Sequence, residues 1–209
     1  ECGARGVRAV FLPSREHPHP GVAACATLLI LRPKWTEWNS HCLERWQKAA
    51  DVRIGVEAGE AVAATAGPSQ QPSLSFLTPA WAVARILCLS NFNYGSLTLI
   101  SSRVFEQAAP RIEARPLDLL QLREGEPPLE IYELLANQGE FSREEAARRD
   151  AFWKGVVYFR EGRFSEALGM FRLAGAGHLA DPPLDYYIQR TREAQNSAES
   201  APAEKTADA

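Results

Sequence analysis

The spacing of apolar and polar positions changes character along this chain. Up to about residue 136, short apolar runs of strand type alternate with segments whose apolar positions recur at helical intervals. The pattern predicts strands at residues 6–12, 52–56, 60–65, 73–77, 96–101, 112–122 and 129–134, and helices at residues 20–31, 36–49, 79–89 and 101–108. Gly59 separates two of these strands, which we expect to pair as a hairpin. Strands interspersed with helices predict an α/β or α+β sandwich rather than an all-helical fold.

Two prolines delimit the first predicted helix. Pro20 lies in its first turn and Pro33 just beyond its end, so a second helix is expected to begin near Thr36. The second helix carries an apolar stripe at loose helical spacing, formed by Trp35, Trp38, Leu43 and Trp46. We expect these tryptophans to belong to the core rather than to a ligand site.

From residue 142 the apolar positions follow helical spacing alone. Ser142 and Glu145 fit a capping box, and Pro182 begins a third helix that is expected to run to about Gln195. The two helices expected between Ser142 and Pro182 resemble one tetratricopeptide-type hairpin. They match it at Gly155, Tyr158, Gly162, Ala167, Phe171 and Ala174. The resemblance implies that the small residues let the helices approach each other and that the aromatic ones fill the gap. Such a hairpin is either a structural cap or a module that binds a peptide or protein partner.

Composition narrows the class of protein. Apolar residues make up 45% and charged residues 23% of 209 residues, which suits a globular chain. A net charge of −3 argues against a nucleic-acid partner. The longest apolar run, at residues 22–31, is too short to span a bilayer, so we expect no membrane partner for this segment. The polar, proline-containing residues 197–209 are expected to form a disordered tail.

Cysteine and histidine spacing favours no metal site. The four cysteines lack CxxC spacing and are expected to be reduced thiols. His17 and His19 alternate with prolines, which favours a surface loop over a metal centre. No signal-peptide pattern is visible at the start of the sequence. We expect a cytoplasmic location, or the cytoplasmic part of a longer, membrane-anchored protein.

Several segments in sequence order resemble the catalytic domain of class III adenylate and guanylate cyclases. They are the glycines at 55, 59 and 67, the helix at residues 79–87 with Arg85, the fragment Arg115-Pro-Leu-Asp118 and the closing run at residues 128–134. The resemblance covers residues 1–136, without the family's first strand. It implies a ferredoxin-like cyclase sheet with packed helices, followed by a small all-α hairpin at residues 142–196.

The resemblance also implies a set of site positions. The family uses two aspartates for two metal ions, an asparagine and an arginine for the transition state, and a lysine and an aspartate for the base. In this sequence these positions hold Arg5 (second metal aspartate), Trp81 (asparagine), Arg85 (arginine), Glu1 (lysine) and Thr78 (base-reading aspartate). The first metal aspartate has no counterpart, and Arg123 matches a basic position that could contact phosphate. Arg85 fits equally a surface arginine paired with an acidic neighbour.

These substitutions predict a catalytically impaired cyclase-homology domain with a role in signalling or dimerisation. Phosphoryl transfer without metal ligands lacks its main electrostatic stabilisation. No cofactor is expected, and Mg²⁺ or Mn²⁺ only if an intact metal site is supplied from elsewhere. We expect a homodimer, or a heterodimer with another cyclase domain. Two alternatives remain: an active cyclase subunit completed by an upstream segment or partner, and a partner-binding module built on the C-terminal helices.

Overall fold

The computed structural model of the protein describes residues 2–3, 6–16, 18–66, 73–177 and 180–200. The strands in this part of the chain are β1 (Cys2–Gly3), β2 (Gly6–Val7), β3 (Ile54–Val56), β4 (Val62–Ala66), β5 (Ser73–Leu77), β6 (Thr98–Ser101), β7 (Ile112–Leu120) and β8 (Leu129–Asn137). The helices are α1 (Pro20–Trp46), α2 (Ala80–Tyr94), α3 (Ser102–Ala108), α4 (Arg143–Arg160), α5 (Phe164–Ala174) and α6 (Pro182–Ser200), with a 3₁₀ turn at Ala109–Arg111. The fold is therefore mixed α+β, as the sequence predicts.

The main sheet has four strands in the order β3-β6-β8-β7. β3 runs parallel to β6, and the remaining neighbours are antiparallel. β4 pairs with β5 in a separate hairpin, and β1 pairs with β2 in another. The prediction that β3 and β4 pair around Gly59 is wrong, because β3 pairs in parallel with β6 in the main sheet and β4 pairs with β5.

Alternating side chains of the sheet bury two separate faces. Leu99 and Ile131 point to the face covered by α2 and α4–α6, whereas Ile100 and Tyr132 point to the face covered by α1 and α3. Both faces are therefore packed against helices, which gives a three-layer arrangement.

Gly55 explains why α2 can lie so close to β3. A Cβ atom added at Gly55 would lie 2.1 Å from the Ala84 carbonyl oxygen and 2.4 Å from the Cys88 nitrogen. Only a residue without a side chain fits this contact. The first glycine of the cyclase-like motif therefore serves helix–strand packing here.

The C-terminal helices share the core of the sheet. Phe152, Phe171 and Tyr187 are fully buried in the same cluster as Leu117 and Ile131. Within the helical hairpin, a Cβ atom added at Gly155 would lie 2.5 Å from a ring carbon of Phe171, so the close approach expected at this glycine is present. The capping box also forms: the Ser142 hydroxyl accepts from the Glu145 backbone, and the Glu145 carboxylate accepts from the Ser142 backbone.

The helix predicted to end before Pro33 instead continues to Trp46. A proline inside a helix removes one hydrogen bond and costs about 3 kcal/mol. Contacts on either side hold the helix together: Arg32 Nη1 donates to the Leu135 carbonyl at 2.6 Å, and the Asn39 side chain exchanges two hydrogen bonds with Ala50. Tertiary contacts thus override the local signal for a break.

The expectation that the helix tryptophans belong to the core is wrong. Trp38 is 46% exposed and Trp46 is 63% exposed, whereas Cys42 in the same half of α1 is buried and Asn39 binds the Ala50 backbone. Trp35 is half-buried, with its ring centre 4.8 Å from that of Trp38.

The chain ends also differ from expectation. The strand predicted at residues 6–12 is confined to Gly6–Val7. α6 continues to Ser200, into the predicted tail, and residues 201–209 lie outside the described residues. No helix in the described ranges is long and apolar enough to cross a membrane.

Candidate functional site

Two of the predicted site residues fasten the base of the β4–β5 hairpin. The Thr78 hydroxyl donates to the Glu60 carbonyl at 2.6 Å and accepts from the Ala80 backbone at 3.2 Å. The Trp81 indole donates to the Phe76 carbonyl at 3.3 Å. Both polar groups are therefore occupied by backbone partners at the start of α2.

Arg85 lies one helical turn beyond Trp81 on the same side of α2. Its side chain is exposed, and within the described residues it forms no hydrogen bond or ion pair. The alternative of a surface arginine paired with an acidic neighbour is therefore not realised. Arg8 also approaches Trp81, with its guanidinium carbon 5.6 Å from the ring centre. The structure thus gathers Thr78, Trp81 and Arg85 at one end of α2.

Arg123 lies apart from this group. It occupies the turn between β7 and β8. The helix α2 instead packs on β3 and β6, which are at the other edge of the strand order. Its guanidinium forms an exposed ion pair with Glu126 at 3.2 Å. No described contact brings it to Arg85.

Sequence reasoning overlooked Glu57, a buried carboxylate at the end of β3. One carboxylate oxygen accepts from the Ser101 hydroxyl at 3.0 Å and from the Ala58 backbone at 2.8 Å, and Arg103 lies 3.8 Å away. The other oxygen is buried without a hydrogen-bond partner. Burial raises the pKa of Glu57, and the charge of Arg103 only partly opposes this. A charged residue directly after an apolar strand run was the available signal.

The residues present do not fit the two metal ions of the resembled family. Among the residues that the structure describes, no three His, Cys, Asp or Glu side chains come together as a possible metal site. Glu57 is a lone carboxylate with a basic neighbour. Glu1 and Arg5 lie outside the described residues, as do Gly67 and His17.

A second charged cluster lies between the sheet and the C-terminal helices. Arg115 on β7 donates from Nε to Glu133 at 2.8 Å and through both terminal nitrogens to Asp181, at 2.7 and 2.6 Å. Its guanidinium lies 4.4 Å from the centre of the Phe152 ring. Three residues further along β7, Asp118 accepts from Tyr94 at 3.0 Å and from Arg190 at 2.7 Å. Every formal charge in the cluster has a partner, so its geometry is that of a structural clamp.

Comparison with known proteins gives matches only to solved structures. No family model matches the sequence, and no curated protein matches it. The guanylyl cyclase Cya2 is similar over 59% of this chain and 61% of that chain, with 15% identity and a TM-score of 0.46. The adenylyl cyclase CyaB from P. aeruginosa is similar over 60% of each chain, with 16% identity and a TM-score of 0.38. Both are nucleotide cyclases, the class that the sequence resembles, and the chain spans about three-fifths of each of them.

Proposed function

We propose that this chain is a cyclase-homology domain that is catalytically impaired and acts as a dimerisation module. The observation that carries the proposal is the contrast between the site positions at the start of α2 and the hairpin beside them. Thr78 and Trp81 are held in structural contacts, while Val62 and Leu77 of the hairpin are exposed.

The chemistry at the site positions supports the impaired state. The Thr78 hydroxyl and the Trp81 indole donate to the Glu60 and Phe76 carbonyls. They cannot replace the base-reading aspartate and the transition-state asparagine of the resembled family. Of the transition-state pair, Arg85 keeps the side chain of the resembled family, and it forms no hydrogen bond or ion pair within the described residues. A partner cyclase domain could therefore receive this arginine, whereas no group of carboxylates suited to metal-assisted phosphoryl transfer comes together among the described residues.

The β4–β5 hairpin supports the dimerisation role. It forms a two-stranded sheet of its own, and such a unit is marginal in water without further packing. Val62 and Leu77 lie opposite each other in the register and are 66% and 69% exposed. Leu89 and Phe92 on α2 are also more than half exposed. Val62 and Leu77 are therefore the apolar residues of the hairpin that we expect to lie in an interface.

A second copy of the chain is the partner that this surface suits best. The strands β4 and β5 contain no charged residue, so two copies can approach without repulsion between like charges. Within the described ranges neither outer edge of this hairpin pairs with a further strand, so both edges can accept one. The same properties serve a heterodimer with another cyclase domain.

The test is the solution mass by light scattering across a concentration series, with and without Mn-ATP. We expect a dimer that nucleotide does not affect. The double variant Val62→Asp/Leu77→Asp should weaken the dimer by at least about tenfold. Two apolar side chains that become buried on dimerisation contribute several kcal/mol to the binding free energy. Leu173→Asp on α5 is the matched control, because Leu173 is 58% exposed and lies outside the hairpin.

Three results would contradict the proposal. A monomer at all concentrations removes the dimerisation role. A dimer strengthened by Mn-ATP favours the alternative of an active subunit and calls for a product assay. A dimer weakened equally by Leu173→Asp moves the interface to the C-terminal helices, the second alternative. That alternative has less support, since Phe152, Phe171 and Tyr187 are buried against the sheet.

A further inference from the structure

A cavity lies between the first two turns of α1 and the place where β7 begins and β8 ends. Its volume is about 300 Å³. It is lined by Val22, Ala26, Arg111, Ile112, Asn137 and Gln138. Ligand pockets in proteins have volumes of about 300–1,000 Å³, so this cavity suits a small molecule. It belongs to the sheet face covered by α1 and α3, whereas α2 and the C-terminal helices cover the other face.

Hydrogen bonds between elements hold the walls of this cavity in place. At the start of α1, the Gly21 backbone donates to the Gln107 side chain on α3 at 2.9 Å. At the sheet, the Gln138 backbone donates to the Arg111 carbonyl at 2.9 Å, which joins the end of β8 to the start of β7. The cavity is therefore formed before any ligand enters, and binding requires little ordering of the chain.

Arg111 is the charged residue among the described lining residues. Its side chain is exposed and forms no hydrogen bond or ion pair within the described ranges. A fixed carboxylate borders the cavity, since Glu140 accepts from the Asn137 side chain at 2.7 Å and from its backbone at 2.9 Å. These hydrogen bonds lower the pKa of Glu140. An unpaired guanidinium beside one fixed negative charge favours a monoanion over a multiply charged anion.

The rest of the lining is mainly aliphatic. Val22 and Ala26 lie one turn apart on α1, and Ile112 is buried beside them on β7. None of the described lining residues is aromatic, so a nucleobase would find no ring to stack on. The Gln138 side chain, which also has no partner among the described residues, can donate or accept one further hydrogen bond.

We propose that this cavity binds a small aliphatic monocarboxylate. The carboxylate lies against Arg111, and the hydrocarbon part lies against Val22, Ala26 and Ile112. A guanidinium matches a carboxylate with two parallel hydrogen bonds. Each methylene group that the aliphatic lining buries adds about fourfold to the affinity. The proposal is independent of the dimerisation surface, because the β4–β5 hairpin contributes no residue to this cavity.

The test is titration of the isotope-labelled full chain with acetate, propionate and butyrate, followed by NMR. We expect saturable shifts of the Val22, Ala26 and Gln138 amides, and an affinity that rises about fourfold with each methylene. Butyramide, which has the same shape without the charge, should bind at least about tenfold more weakly. Arg111→Gln should weaken butyrate binding by roughly tenfold or more. Arg172→Gln on α5 is the matched control, since Arg172 is also exposed and has no described partner.

Four results would overturn the proposal. The first is the absence of saturable shifts with all three carboxylates. The second is equal binding of butyrate and butyramide, and the third is an equal loss with Arg111→Gln and Arg172→Gln, because each removes the role of the guanidinium. The fourth is tighter binding of inorganic phosphate than of butyrate, which would make this a phosphate site instead. The solution mass of Arg111→Gln should equal that of the unsubstituted chain, so failure here leaves the dimerisation proposal unaffected.

Discussion

Both terminal guanidinium nitrogens of Arg115 bind the carboxylate of Asp181, at 2.7 and 2.6 Å, and so tie the start of α6 to β7. Burial alone would lower the pKa of Arg115, but the hydrogen bonds that it donates to Asp181 and the charge of Glu133 raise it above its usual range. The pair is paralleled by Arg190 and Asp118, which join the same two elements. The sheet and the C-terminal helices are therefore one structural unit in which charge and packing agree.

Removing one partner of this pair should be costly. Asp181→Ala leaves the guanidinium of Arg115 buried with Glu133 as its remaining charged partner, so we expect a loss of about 3 kcal/mol of unfolding free energy. The measurement is urea unfolding followed by circular dichroism. Glu126→Ala is the control, since it breaks an exposed ion pair with Arg123, and it should leave the midpoint unchanged. Equal effects of the two variants would contradict a clamp at Arg115.

Glu57 makes stability depend on pH. Because burial raises its pKa above the ordinary 4.5, the folded chain keeps the proton to a higher pH than the unfolded chain does. The contribution of protonated Glu57 to the unfolding free energy is thus complete below the ordinary pKa of the carboxyl. It is lost as pH rises through the raised pKa. Glu57→Gln, which cannot ionise, should lack this component. Its unfolding free energy relative to the unsubstituted chain should increase from pH 4.5 upward. The reverse trend would mean that Arg103 dominates over burial.

Two glycines of the helical hairpin should respond in opposite directions to the same substitution. Gly155→Ala forces a methyl group against the buried ring of Phe171, which costs about 1–3 kcal/mol of unfolding free energy. Gly169→Ala on α5 meets no atom within 4 Å and should be neutral or stabilising by up to about 1 kcal/mol. Thermal unfolding of both variants provides the measurement. Destabilisation by both substitutions would contradict this prediction. It would show that the contact with Phe171 and the helix propensity of alanine do not determine the change in unfolding free energy.

The C-terminal helices should be indispensable to the sheet. Deletion of residues 142–209 would expose Leu117 and Ile131, whose covering residues include Phe152 and Tyr187. We expect the truncated chain to aggregate or to bind a hydrophobic dye, and to lose its cooperative unfolding transition. Deleting residues 201–209 alone is the control and should change neither property. A stable, monomeric truncated chain would instead favour a separate binding module.

Local signals in the sequence predicted most elements of this fold. Ser142 and Glu145 correctly predict the start of α4. The strand Ser73–Leu77 has the predicted bounds. Such signals act within a few residues and need no knowledge of the partner. The continuation of α1 through Pro33 could not be predicted in this way, because it depends on the carbonyl of Leu135, which is 103 residues away.

The candidate site was predictable only in part. The resemblance identified Thr78, Trp81 and Arg85, and the structure brings these three together. The polar groups of Thr78 and Trp81 are occupied because of the position of the β4–β5 hairpin. The sequence pattern did not predict this hairpin, since it paired β4 with β3. Glu57 was missed because its burial results from neighbours on two other elements.

The two ion pairs on β7 also constrain the order in which the chain can fold. Arg115 and Asp181 are separated by 66 residues, and Asp118 and Arg190 by 72. At typical rates of protein synthesis, β7 leaves the ribosome roughly 3–14 seconds before Asp181 and Arg190. During that interval Arg115 and Asp118 have only their nearer partners, Glu133 on β8 and Tyr94 on α2. The contacts between β7 and α6 are therefore expected to form last, because they join residues far apart in the sequence.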